Sequence, residues 1–313
     1  MAKPRKQKSA RARDLQFAVE YGLLRGLEQF FRLLGPDIGS AVSGKLWRWF
    51  APLNRRHEAA LRHLAVAFPD LDETQRLEIA GDVWENLGRT FAEGLMIDRV
   101  MSDPCRIEFP TTGLVEELRK SGGRFVVTSL HCANWELAAA AFTRAGFPIG
   151  GIYQKVNNPL VDRWVVGVRT PYYPGGLFVK GQAAARRLLA WGKGGNPPGV
   201  LADQRIGDGI MVPFFGHPAP STPLPAFLAM SLDYPLVGAR VVRLKGCRFR
   251  VEIEPIPVAD SGDRAADIAA TTATVQATFE RWIREYPGQW MWAHRRWTSK
   301  GPPADFPPNL LPK

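Results

Sequence analysis

The sequence predicts an α/β protein in which a mixed central sheet is flanked by helices, preceded by an all-helical N-terminal region. Three observations carry this. Apolar side chains recur at helical spacing over the first hundred residues. After Pro104, short apolar runs alternate with helical segments, the texture of a sheet covered by helices. An apolar content of 45%, with 11% aromatics, supplies a core large enough for one substantial domain in 313 residues.

The chain divides into residues 1–14, 15–103, 104–300 and 301–313. The first stretch, MAKPRKQKSARARD, holds six Lys/Arg and a single acid and reads as a basic disordered arm. Residues 15–34 form a helix with an apolar stripe at Leu23, Leu24, Leu27, Phe30, Phe31 and Leu34. Glu20, Arg25, Glu28 and Arg32 interrupt it, so it falls short of the roughly 18 apolar residues of a membrane span. Three readings fit: a core helix behind a tail, an amphipathic helix lying in the headgroup layer of an anionic bilayer, or a transit peptide. Helical periodicity continues over 54–67 and 72–99, with a start signal at Asp72-Glu73.

In the next part RFVVTSL (124–130) reads as a strand, 133–145 as a helix and 148–153 as a strand. Helices follow over 159–169 and 181–191. The turn-rich GKGGNPPG leads into a strand at 199–203, and MVPFF (210–214) is extended. A short helix at 223–232, a strand pair at 235–243 and 247–255, and a helix over 263–286 precede a Pro-rich tail at 301–313.

A net charge of +11 points to acidic partners. The three cysteines, Cys105, Cys132 and Cys247, are odd in number and widely spaced, which fits neither a disulfide framework nor a zinc motif. No nucleic-acid-binding signature accompanies the basic charge.

SLHCANWE (129–136) places a histidine where a strand runs into a helix, the usual position of an α/β active site. His131 and Glu136 are five apart, and they meet only if His131 is still on the turn. A carboxylate against one imidazole nitrogen frees the other as a general base. The helix start adds unpaired N–H groups for a developing oxyanion. The same spacing also fits a buried histidine satisfied by a carbonyl, with Glu136 on a solvated face. Cys132 as a nucleophile would need its own base; neighbours on a strand point apart, so a packing role is expected.

HCANWE resembles the H-x4-[D/E] block of glycerolipid acyltransferases, and more closely the H-x-G-N-W-[D/E] form of the bacterial lipid A biosynthesis (lauroyl/myristoyl) acyltransferase family. IYQKVNNPLVD (152–162), LADQRIGDGIMVPFFGHPAPSTPLPAFLA (201–229) and YPGQWMWAHRRW (286–297) resemble further blocks of that family in order, as do NLGR (86–89) and the early FFRLLG. The likeness runs over roughly 15–300 and implies a glycerolipid-acyltransferase-like fold.

The resemblance implies transfer of a fatty acyl chain from an acyl carrier protein or coenzyme A thioester to a lipid hydroxyl, without an acyl-enzyme, metal or cofactor. The acceptor it implies first is a lipid A precursor, then a lysophospholipid or glycolipid. The expected setting is the cytoplasmic face of the bacterial inner membrane. His131 is then the base, Glu136 its orienting carboxylate, and Asp203 a residue positioning the acceptor or a cation. Asn134, Gln154, Lys155, Gln204, Arg295 and Arg296 join the substrate site. Gln154 stands where the family usually has an arginine, and Lys155 beside it can supply the charge, without arginine's bidentate fork. Ala133 replaces the usual glycine. His294, Arg295, Arg296 and Lys300 beside Trp290, Trp292 and Trp297 suit a phosphate-rich headgroup or acidic carrier, with the indoles at interfacial depth. VPFFG (212–216) reads as core and acyl-tunnel wall, and Ser221 and Thr222 as caps of the helix near Pro223. From other classes, a non-catalytic basic binding protein and a Cys132 hydrolase remain alternatives.

Overall fold

The computed structural model describes residues 10–110 and 113–297. Residues 1–9 of the basic arm, Lys300 and the Pro-rich tail lie outside them. Helices α1 (Ala10–Phe50), α2 (Arg55–Ala67), α3 (Glu73–Leu95) and α4 (Ile97–Ser102) come first. Strand β1 (Ile107–Glu108) and helix α5 (Leu114–Lys120) follow. Then come β2 (Val126–Ser129), α6 (Glu136–Arg144), β3 (Gly151–Tyr153) and α7 (Pro159–Arg169). Next are β4 (Leu177–Val179), α8 (Gln182–Lys193) and β5 (Gly199–Leu201). The hairpin β6 (Ile210–Phe214) and β7 (His217–Ser221) leads to α9 (Leu224–Leu232). Strands β8 (Leu236–Arg243) and β9 (Phe249–Ile256) and helix α10 (Arg264–Glu285) complete the fold.

The central sheet runs β1-β9-β8-β2-β5. Strand β8 is antiparallel to β9 and the other neighbours are parallel, so the sheet is mixed as the sequence predicts. The parallel pair β3–β4 extends it past β5 through a bridge between Gly150 and Pro198. All four residues of β2 are buried, because both faces of the sheet are covered. Val127, Val237 and Ala239 pack with Leu118 and Phe142 on one face, while Val126, Leu130 and Leu236 pack with Leu188, Leu228 and Phe279 on the other.

The N-terminal helices are fixed by local chemistry. Asp72 and Gln75 form a reciprocal capping box at the start of α3. The sequence reading ends the first helix at residue 34, but α1 continues to Phe50 with a kink. Gly35 there leaves the helical region at φ +77°, and Pro36, with its φ preset, begins the next turn. Helices α1 and α3 cross closely at Gly88, where a Cβ would lie 2.6 Å from Trp47. That explains the glycine of NLGR.

The exposed apolar side chains of α1 include Leu15, Val19, Leu23, Leu27, Phe30 and Leu33, which recur at helical spacing and so share one face. Among the described residues no helix is long and apolar enough to cross a membrane. Three short strands, β1, β4 and β7, and the helix α5 escape the sequence reading; each of these strands pairs with one partner, and β7 (HPAPS) carries two prolines.

Candidate active site

Strands β2 and β5 lie side by side and parallel, with Ser129 opposite Leu201. Two residues further on, each strand delivers a polar side chain past the sheet edge: His131 from one and Asp203 from the other. The His131 backbone N–H donates to Asp203 Oδ2 at 3.0 Å, and His131 Nδ1 lies 2.7 Å from Oδ1. Trp290 Nε1 donates to Oδ2 at 2.8 Å. Burial of Asp203 (1% exposed) works against its charge. The neighbouring His131 and the hydrogen bonds from His131 and Trp290 outweigh this and hold the carboxyl below its ordinary value. A carboxylate accepts, so Nδ1 carries the proton and Nε2 is left with a lone pair. Gln204 places its amide nitrogen 3.2 Å from Nε2, and the Trp135 ring packs against the imidazole at 4.9 Å. The His131 side chain keeps 15% exposure, enough for contact from outside.

This geometry corrects the expected pairing of His131 with Glu136. Glu136 is the first residue of α6, and its Oε1 accepts from Arg169 and from Trp135 Nε1. Its Oε2 is buried without a hydrogen-bond partner. The physical reason is register: a neighbouring parallel strand presents Asp203 at the level of His131, whereas Glu136 turns with the helix towards the last turn of α7.

The turn between them is held from three sides. Ala133, at φ +48°, occupies the left-handed region where glycine is favoured, which gives the family's glycine a steric reason. Its N–H donates to Gln289 O at 2.8 Å, and its carbonyl accepts from Thr90 Oγ1 at 2.9 Å. Asn134 is fully buried and donates to Glu93 Oε2 at 3.1 Å, so it faces the interior, away from substrate. Glu93, also fully buried, is paired by Arg243 through both guanidinium arms and accepts from Ser40 Oγ at 2.6 Å. Arg243 also reaches Asn86 Oδ1 at 2.9 Å, and Asn86 donates to Gln289 O at 3.2 Å. Helix α3 therefore clamps both the histidine turn and the segment that carries Trp290.

Sequence reasoning missed Glu93 and Arg243, and it read Trp290 as an interfacial indole where the structure makes it a donor to Asp203. A glutamate seven residues after Asn86, on the face of α3 that carries buried residues, was the available signal, because buried carboxylates are rare unless paired.

Gln154 and Lys155 are exposed and follow β3, one strand beyond Asp203 along the same sheet edge. Arg295 is exposed as well. Arg296 is corrected. It is 1% exposed and donates to Pro220 O, Ser221 Oγ and Gln276 Oε1, which makes it an internal tie. Burial depresses its guanidinium to about 10. Trp290, Trp292 and Trp297 are likewise buried, not at interfacial depth. Ser221 is committed to this tie, while Thr222 Oγ1 accepts from Leu224 N at 3.3 Å at the start of α9. His294 has a buried Nδ1 without a partner; burial lowers its pKa, and it feels both Asp203 and His131 electrostatically. Cys132 is 2% exposed, and burial pushes its thiol up to about 12, which leaves it no thiolate character for nucleophilic attack. Phe214 and Phe215 of VPFFG lie in the core.

The arrangement is a buried carboxylate and an imidazole whose unprotonated Nε2 meets the Gln204 amide and can accept a proton from a hydroxyl that takes that place. A search of curated proteins finds no match. The family model for bacterial lipid A biosynthesis acyltransferases matches residues 6–299, a span that contains every strand of the sheet and the His131–Asp203 pair. The chain belongs to the bacterial lipid A biosynthesis acyltransferase family.

Proposed function

We propose that this acyltransferase moves a fatty acyl chain from an acyl carrier protein or coenzyme A thioester to a hydroxyl of a lipid A precursor. His131, held by Asp203, is the single observation that carries the mechanism. His131 Nε2 accepts the proton of the acceptor hydroxyl as its oxygen bonds to the thioester carbonyl carbon. The imidazolium that forms is stabilised by the Asp203 carboxylate. Collapse of the tetrahedral intermediate breaks the carbon–sulfur bond, and the thiolate takes the proton back from His131. The first-turn N–H groups of Leu137 and Ala138 in α6 already donate to the carbonyls of Asn134 and Trp135, so the oxyanion is not assigned to them.

Lys155 and Arg295, both exposed, are the cations we assign to acidic groups of donor or acceptor. The exposed apolar face of α1 supports peripheral docking on an anionic bilayer, and we place the enzyme on the cytoplasmic face of the bacterial inner membrane. Mass spectrometry of lipid A from cells with and without the gene tests this. We expect loss of one secondary acyl chain in its absence, restored by the wild-type chain and not by His131→Ala. Unchanged lipid A with an altered phospholipid profile would overturn the acceptor.

A further inference from the structure

Helices α1 and α3 enclose an open apolar groove of about 430 Å³ at the base of the N-terminal region, remote in sequence from the His131 site. Leu27, Phe31, Trp47, Phe50, Trp84 and Phe91 line it. Phe31 and Trp84 form a buried floor, while Leu27, Trp47 and Phe50 stand 44%, 37% and 57% exposed at the rim. The aromatic walls are ordered: Trp47 stacks on Phe91 at 5.8 Å and tilts against Trp84 at 6.3 Å. A concave apolar site of this size fits a small hydrophobic ligand. The rim continues into exposed Leu46, Trp49 and Leu53, so the groove opens onto an apolar surface.

Charge says what covers it. The acids nearby are already committed: Asp82 to Arg48, Glu85 to Arg89 and Glu58 to Arg62. Arg55 and Arg56 follow the groove-lining Asn54 directly, are exposed and make no ion pair among the described residues. They occupy the first turn of α2, where the helix dipole disfavours cations, so they do not serve the helix. An external anion beside that positive helix end would offset both charges.

We infer that the groove holds one acyl chain of an anionic phospholipid, with the lipid phosphate at Arg55 and Arg56. This lipid site is separate from the acyl-transfer centre and does not depend on the reaction proposed above.

The test titrates the full chain with a short-chain phosphatidylglycerol, brominated in its acyl chains and kept below its micelle concentration, and follows tryptophan quenching. Saturable quenching is expected. It should be largely lost in the double variant Trp47→Phe/Trp84→Phe, which removes both groove tryptophans, and retained in Trp135→Phe. The exposed pair Arg55→Glu/Arg56→Glu should weaken binding about tenfold or more and abolish preference over the phosphatidylcholine analogue. Binding to anionic vesicles without saturable monomer quenching would overturn the groove. So would quenching that disappears in Trp135→Phe, which would place the chain at the catalytic centre. Equal affinity for both headgroups, unchanged by the arginine variants, would overturn the phosphate assignment. Concentration-dependent dimerisation without lipid binding would make the face an interface between two copies.

Discussion

At the scale of single residues, the assignment rests on which carboxylate serves His131. Asp203→Asn replaces an acceptor with an amide that stabilises the wrong tautomer, and acyl transfer is expected to fall roughly 10³–10⁴-fold in kcat with KM little changed. Glu136→Gln, which leaves the His131–Asp203 bond in place, should cost far less. The reverse order in steady-state kinetics would restore Glu136 as the orienting group. The histidine itself was legible in SLHCANWE because it lies at a strand end. Its partner was not, since 72 residues separate them and only strand order brings them together. Both strand ends had been read; their adjacency had not, because periodicity along one segment says nothing about which strand lies beside it. Arg296 shows the same blindness. A run of cations in HRRW does not reveal that one of them points inwards to Ser221 and Gln276.

Among elements, helix α3 has the largest consequence for the site. Its Asn86, Thr90 and Glu93 hold the backbone of Gln289, the turn at Ala133 and the Arg243 guanidinium. Glu93→Gln leaves the Arg243 cation buried without its counter-charge and is expected to destabilise the fold by about 3–5 kcal/mol. Combining it with Arg243→Met should recover part of that loss. Denaturant unfolding of the four chains of this cycle measures the recovery, and strict additivity would show that the pair is not coupled. The helices themselves were plain in the sequence: α7 spans the 159–169 predicted from periodicity, and α3 begins at its expected cap. The clamp was hidden because it consists of side chains from α3, β8 and the segment after α10, three places that no local pattern connects.

For the whole molecule, the N- and C-terminal parts of the described chain are joined through His63 of α2. Its Nδ1 donates to Trp292 O at 2.9 Å, and its ring meets Trp297 edge-on at 5.5 Å. Burial lowers its pKa from 6.5 to about 4 in the folded protein. Between those values the unfolded chain binds more protons than the folded one. The contribution is therefore fully present above pH 6.5 and is lost as pH falls towards 4. Thermal unfolding between pH 4 and 7.5 should show Tm declining on the acid side, with a shallower slope in His63→Gln. Equal slopes would assign the decline to other groups. The α3 clamp also imposes an order on synthesis. Residues 86–93 leave the ribosome about 150 residues before Arg243 and about 200 before Gln289, their eventual partners. Until then the Glu93 carboxylate has no buried cation to meet, and the turn bearing His131 emerges into a scaffold that cannot yet hold it. The nascent chain is accordingly inert as well as incomplete, and the catalytic turn is set only when nearly the last of the sheet and its trailing segment have arrived.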